Sequence, residues 1–231
     1  GITGTGGAGK SSLTDELILR FRAGQGDALK IALIAVDPTR RKTGGALLGD
    51  RIRMNAINHE NISMRSVATR DAIAEIPDYV PQMVALCKLA GFNLVIVETP
   101  GIGQGDAGIT AMVDASLYVM TPEFGAQSQL EKIDMLDFAD AVAINKFDRQ
   151  GAADAYRDVC KQVQRNRAVF GENPESMPVF GTVASRFNDD GVTALYQNLL
   201  SNLQTHGLPV IDNQLDEVEV RYSSQQTRLI P

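Results

Sequence analysis

The first twelve residues, GITGTGGAGKSS, hold five glycines, one lysine and two serines. Gly4-Thr5-Gly6-Gly7-Ala8-Gly9-Lys10-Ser11 satisfies G-x-x-x-x-G-K-[ST] at every specified position. Glycines let successive amide N–H groups turn toward one centre without a Cβ in the way, which makes a nest for phosphate oxygens. The amides of Gly6, Gly7, Ala8, Gly9, Lys10, Ser11 and Ser12 are the expected cradle. The next stretch, SSLTDELILRF, has apolar residues at helical spacing. The nest therefore sits at a helix N-terminus, whose dipole also favours an anion. Lys10 is expected to face solvent while the loop is empty and to reach the β- and γ-phosphates when it is filled. The Ser11 hydroxyl is the expected Mg²⁺ ligand. These features imply a bound nucleoside triphosphate.

Other strand ends must then supply the acidic groups and a base reader. IALIAVD closes on Asp37, and FNLVIVETPG closes on Glu98 and continues to Gly101. A carboxylate just past a buried strand can face Mg²⁺ directly or through water. Gly101 could offer its amide to the γ-phosphate, and hydrolysis would release that loop. Asp50, in GALLGDRIRM, is a third acidic candidate, and by spacing alone it reads equally as a surface carboxylate on a helix. AVAIN runs into Asn145-Lys146-Phe147-Asp148, which fits N-K-x-D. The Asp148 carboxylate can accept from N1–H and the exocyclic N2–H₂ of guanine, a pairing that adenine lacks, and such a bidentate contact discriminates by about 1–3 kcal/mol. Asn145 and Lys146 would brace the loop and cover the base. GTVAS follows the last apolar run and places Ser185 where a backbone amide could meet guanine O6. The nucleotide implied is GTP, with GDP as product.

Positioning these groups requires a sheet with many carboxyl ends on one side. The runs 31–36, 92–98, 115–120, 141–145 and 177–183 are short and rich in Val and Ile, as strands buried on both faces of a parallel sheet are. Helical patterns occupy about 11–23, 46–58, 77–90, 127–138, 152–167 and 191–204. The alternation predicts an α/β, doubly wound, mainly parallel sheet with ligands at the strand carboxyl ends. At 231 residues, 44% of them apolar and 22% charged, the chain can bury one ample core. A net charge of −6 argues against nucleic acid as partner. No apolar run approaches the roughly 20 residues of a membrane span. Cys87 and Cys160 lack paired spacing and read as reduced thiols, which points to the cytoplasm. His59 and His206 stand alone, and neither is given a chemical role. Only three residues precede the phosphate loop, and the polar stretch QLDEVEVRYSSQQTRLIP lacks an apolar period. The expected organisation is a nucleotide domain over 1–205, its first strand cut short, and a linker over 206–231 toward a following domain.

AVDPTRRKTGGALLGDRIRM, VETPGIGQGD and NKFD together resemble the chaperone GTPases that serve adenosylcobalamin-dependent acyl-CoA mutases, including the methylmalonyl-CoA mutase chaperones. Within that group, GITGTGGAGKSS and DPTRRKTGGALLGDRIRMNAI look most like the GTPase domain of the fused isobutyryl-CoA mutases. The likeness covers residue 1 to about 205. It implies a P-loop fold of the metallochaperone and signal-recognition-like class. It also implies a catalytic set of Lys10, Asp37, Asp50 and Glu98, with Ser11, Asp37, Asp50 and Glu98 at the metal. Glu98 stands where ordinary small GTPases carry Asp, and is the residue of this group. Gln104 follows Gly101 by three positions rather than directly, so it reads as a switch-loop residue. Residues 121–135 fit a mobile loop that contacts the mutase, or an ordinary strand-to-helix connection. Arg40-Arg41-Lys42 fits an approach to the γ-phosphate like an arginine finger, or a solvated charge run.

The implied partners are cobalamin-binding and substrate-binding mutase domains on the same polypeptide, in a homodimer, with adenosylcobalamin bound by the partner domain. Isomerase chemistry is expected outside this segment, because neither histidine lies in a DxHxxG pattern. The competing readings are a nickel-insertion type of metal-delivery GTPase and a signal-recognition type of targeting GTPase. The first would display clustered Cys or His, which this chain lacks.

Overall fold

In the computed structural model, residues 1–38, 54–69, 76–101, 107–211 and 213–224 are described, without the side chains of 107, 127 and 128. Seven parallel strands form one sheet: β1 (Ile2–Gly4), β2 (Ile31–Asp37), β3 (Ile62–Ala68), β4 (Leu94–Glu98), β5 (Leu117–Met120), β6 (Ala141–Asn145) and β7 (Val179–Thr182). Their spatial order is β3-β2-β4-β1-β5-β6-β7. The chain winds outward from β1 to one side and, after β4, crosses β1 to the other. β1 is therefore the switch point, the place where such sheets open a ligand crevice. Because all strands run the same way, the residues after Gly4, Asp37, Glu98, Asn145 and Thr182 meet at one edge.

The doubly wound reading holds, and the sheet is parallel throughout the pairings described. Strand period sorts the core into two layers. Ile31, Leu33 and Ala35 of β2 point to one face, into a cluster with Leu13, Leu17 and Phe21 of α1 (Lys10–Gly24) and Leu195, Tyr196 and Leu199 of α6 (Asp190–Thr205). Phe21 and Tyr196 meet edge to face at 5.0 Å. Ile34 and Val36 point to the opposite face, against Val80 of α2 (Val80–Leu89). Further along that face, Tyr118, Met120, Val142 and Ile144 pack under Tyr156, Val159 and Val163 of α5 (Ala152–Asn166). Each such buried side chain stabilises the fold by about 1.5–3 kcal/mol before entropy is counted.

Three element readings change. The strand β3 has no counterpart among the expected runs, because ISMRSVA interleaves Ser63, Arg65 and Ser66 with its apolar residues, as an edge strand with one wetter face does. The expected helix over 127–138 is two short ones, α3 (Gln127–Leu130) and α4 (Met135–Phe138), whose linking turn buries Ile133. Of the expected helix over 46–58, the described part from Met54 onward is non-helical, and the rest lies outside the described residues.

The stretch expected to act as linker lies, over its described part, along the domain. Leu208, Val210, Leu215, Val218 and Val220 pack against the core beside α1 and α6. The Ile211 N–H donates to Gln25 Oε1 at 2.9 Å, and the Gln214 N–H to the Gly24 carbonyl at 2.9 Å.

Candidate functional site

The phosphate loop leaves β1 at the switch point and enters α1 through Gly9, whose φ of +86° caps the helix in a left-handed conformation. A Cβ there would lie 2.6 Å from Asn145 Nδ2. Lys10 is only 7% exposed, and its ammonium donates to the carbonyls of Gly4 and Thr5, each at 3.1 Å. The expectation of a solvent-facing lysine is corrected. The loop wraps its own carbonyls around the ammonium, which keeps the charge hydrogen-bonded in a nearly closed space. Gly101 closes the other side with φ +72°, and a Cβ on it would stand 2.0 Å from Lys10 Nζ and 2.4 Å from the Gly4 carbonyl.

Beside this loop, Ser11 Oγ donates to Glu98 Oε1 at 2.7 Å, and Thr14 Oγ1 donates to Glu98 Oε2 at 2.8 Å. The sheet register Ala35↔Glu98 puts Asp37 two residues beyond Glu98 along the neighbouring strand, and both carboxylates are buried. A cleft of 580 Å³ opens here, lined among others by Gly7, Lys10, Ser11, Asp37, Glu98 and Ser185. Two carboxylates and a hydroxyl beside an amide nest are the donor set that Mg²⁺ accepts, because it takes one or two carboxylates and completes its shell with water and substrate phosphates. Among the described residues there is no group of three or more His, Cys, Asp and Glu able to hold a metal by themselves. Asp50, Gln104 and Arg40-Arg41-Lys42 lie outside the described residues.

Sequence reasoning missed two members of this end. Thr14 reads as an ordinary helical residue, yet it sits one turn after Ser11, where its hydroxyl can share the same carboxylate. Asp15 reads as a solvated helix charge, yet it is buried and accepts from the backbone N–H groups of Asn55 at 3.0 Å and Ala56 at 2.8 Å. It thus fastens the segment re-entering after 39–53 to the phosphate-binding helix.

The other end of the cleft is built around Asn145, buried at the close of β6. Its Nδ2 donates to the Ala8 carbonyl at 2.8 Å. Its Oδ1 accepts from Thr182 Oγ1 at 3.2 Å and from the Ala184 N–H at 3.1 Å. One amide group thereby joins the phosphate loop to the GTVAS loop. Lys146, with φ +59°, donates from Nζ to the Gly7 carbonyl at 2.6 Å. A non-glycine residue in that region costs free energy and persists where its surroundings fix it. Ser185 is exposed and lines the cleft, and Asp148 is exposed in the turn that follows β6.

The family described as methylmalonyl-CoA mutase-associated GTPase MeaB matches residues 1–218. The chain belongs to the MeaB family. It is 68% identical over 231 residues to a fused isobutyryl-CoA mutase of Cupriavidus metallidurans, and covers all of this chain but 21% of that protein. A fused isobutyryl-CoA mutase of Nocardia farcinica is 62% identical over the same span, 22% of its length. The chain thus spans about a fifth of these relatives, as their GTPase portion. Among solved structures, a LAO/AO transport system kinase aligns with TM-score 0.59 at 24% identity, over 89% of this chain and 60% of that one. HypB of Helicobacter pylori, in complex with nickel, aligns with TM-score 0.60 at 16% identity, over 90% and 88%. At those identities the likeness is one of fold: a P-loop GTPase sheet. Membership of this GTPase family implies guanine nucleotide binding. No helix among the described residues is long and apolar enough to cross a membrane.

Proposed function

We propose that this MeaB-family domain hydrolyses GTP with Mg²⁺ at Ser11, Asp37, Asp50 and Glu98. In this reading it gates the loading and release of adenosylcobalamin for an acyl-CoA mutase of the isobutyryl-CoA type. Its partners are the cobalamin-binding and substrate-binding domains of one cytoplasmic, dimeric polypeptide, with residues 206–231 leading from this domain toward the next. The observation that carries the reading is the shared carboxylate: Ser11 and Thr14 of α1 both donate to Glu98, three residues before Gly101. The helix that follows the nucleotide loop is thereby bonded to the end of β4, which leads into the Gly101 loop.

In hydrolysis a water oxygen forms a bond to the γ-phosphorus as the bond to the β–γ bridging oxygen breaks, giving GDP and phosphate. Lys10 would exchange the Gly4 and Thr5 carbonyls for phosphate oxygens and neutralise their growing charge. Mg²⁺, held by Ser11, Asp37, Asp50 and Glu98, would supply Lewis-acid stabilisation of phosphate charge. Ser11 would turn its hydroxyl from Glu98 toward the metal, and the Gly101 amide would face the γ-phosphate. Loss of the γ-phosphate would then shift Glu98–Gly101 as a unit, and residues 121–135 would relay that shift to the mutase. Ile102, not Gln, follows Gly101, so water activation is weak and turnover slow until a partner contributes. The nickel-delivery alternative has less support, because the likeness to HypB is one of fold only.

The test is Glu98→Ala in the full fused chain, with GTP hydrolysis and adenosylcobalamin transfer measured side by side. Hydrolysis should be lost, and the difference between GTP- and GDP-bound protein in cofactor transfer should flatten, a coupling of about 1–3 kcal/mol. If hydrolysis stops while transfer still distinguishes GTP from GDP, Glu98 is a metal ligand only and the switch lies elsewhere.

A further inference from the structure

The segment Arg221–Ser224 makes contacts that a passing connection does not need. Its backbone extends the sheet at the outer edge of β7: the Gly181 N–H donates to the Arg221 carbonyl at 3.0 Å, and the Ser223 N–H donates to the Gly181 carbonyl at 2.8 Å. Tyr222 then stacks on Phe147, with ring centroids 5.3 Å apart and planes inclined by 29°, and also meets Tyr156 edge to face at 5.3 Å. Phe147 is the third residue of N-K-F-D, adjacent to Asp148, and it lies between Tyr222 and Gly181, where a Cβ would stand 2.5 Å from its ring. The Ser223 hydroxyl donates to Asp189 Oδ1. The other oxygen of that buried carboxylate accepts from the N–H groups of Val183 at 3.2 Å and Val192 at 3.0 Å. One four-residue strap thus grips the N-K-F-D turn with Tyr222 and the GTVAS loop with Ser223.

We propose that Tyr222 is a positioning residue for guanine recognition: by clamping Phe147 it fixes the neighbouring Asp148 carboxylate for the base, while Ser223 holds the 183–185 loop through Asp189. The inference rests on the reading of these two loops as the guanine contacts. Displacing the strap from β7 then loosens the base first, and reaches the phosphate loop only indirectly, through Asn145.

The experiment compares Tyr222→Ala, Tyr222→Phe and Asp148→Asn in the full chain, with GDP and inosine diphosphate as probes in calorimetric titrations. Inosine lacks the exocyclic amine, so the ratio of the two affinities reports how well Asp148 is aimed. Tyr222→Ala should weaken GDP by about 3- to 10-fold, the worth of one aromatic pair. It should weaken inosine diphosphate less, because hypoxanthine offers Asp148 only N1–H and no second donor, and Tyr222→Phe should keep the ratio of the parent. If GDP and inosine diphosphate weaken equally, or neither weakens, the strap is structural only and the proposal fails. If Asp148→Asn also leaves GDP binding and the ratio unchanged, it is the guanine reading of the turn that fails.

Discussion

The two ends of the cleft are built by opposite means. At the proposed phosphate end Lys10, Thr14 and Glu98 are buried, Ser11 is half-buried, and the groups are bonded within the protein: Lys10 to two loop carbonyls, and Ser11 and Thr14 to Glu98. At the proposed base end the scaffold is buried in Asn145 and Asp189, while Asp148, the proposed reader, is exposed. A charge is costly to leave unpaired near a core, and the Lys10 ammonium is hydrogen-bonded to loop carbonyls. A single carboxylate that reads a base edge stays hydrated until used, and only its aim needs support. Damage at the phosphate end should therefore strike chemistry and fold together. Damage at the base end should separate into scaffold effects on stability and reader effects on selectivity.

The largest effect is expected at Lys10. Lys10→Ala should lower the hydrolysis rate by at least about 10²–10³-fold, the usual loss for one buried transition-state donor. It should also destabilise the empty domain by about 1–3 kcal/mol, because the Gly4 and Thr5 carbonyls lose their donor. Phosphate release and a thermal melt on one sample check both. A variant that turns over normally would remove the phosphate-loop reading. A variant that is inactive yet melts like the parent would show that these two hydrogen bonds do not contribute to the stability of the fold.

Asn145 comes next, as the group where the two ends meet. Asn145→Ala removes the bonds to Ala8, Thr182 and Ala184, and about 2–4 kcal/mol of stability should go with them. GTP and GDP should weaken together, since neither loop is held. Denaturant melts with and without GDP measure this. If stability falls with no loss of nucleotide affinity, the cross-brace is a packing device and the two ends are independent.

Asp148→Asn should leave stability near that of the parent, because the side chain is exposed. Guanine discrimination should drop by about 1–3 kcal/mol while xanthine is gained, since the new amide can donate to the xanthine C2 carbonyl. Titration with GTP and XTP decides it. Unchanged GTP affinity with no gain for XTP removes Asp148 as the reader.

The same contrast governs what could be read from the sequence. The places of the glycines, Lys10, Ser11, the strand-ending Asp37 and Glu98, and N-K-F-D at one edge of the sheet were legible because each follows directly on a short apolar run or a helix start. β2 and β6 were legible because strands buried on both faces are unbroken apolar runs. The bracing was not. Thr14, Asp15 and Tyr222 act across 84, 40 and 75 positions respectively, on Glu98, Asn55 and Phe147, and nothing local marks a threonine or a tyrosine for such a partner. β3 was hidden by its wetter face, and the docking of 208–224 by its polar composition, in which Leu208, Val210, Leu215, Val218 and Val220 reach the core without a helical or strand period.

The smallest effect is expected where residues 121–135 approach the base end, at the half-exposed pair of Glu123 and Arg149. The Glu123 carboxyl is held down to about 2, first by the Thr121 hydroxyl, then by its own backbone N–H, and then by Arg149. A folded-state value below the ordinary 4.5 means that the carboxylate favours the fold above that pH, and that the favour is lost as pH falls from 4.5 through 2. Solvent screens an exposed pair, so at neutral pH Arg149→Ala should cost less than about 1 kcal/mol. Thr121→Val and Arg149→Ala should each raise the Glu123 titration, which a carboxyl-detected NMR titration can follow. GDP affinity should stay with the parent in both variants, since neither touches Asn145, Phe147 or Asp189. If Arg149→Ala instead weakens GDP more than threefold, this exposed pair carries a signal between 121–135 and the nucleotide, and the base end is supported from its surface as well as from its core.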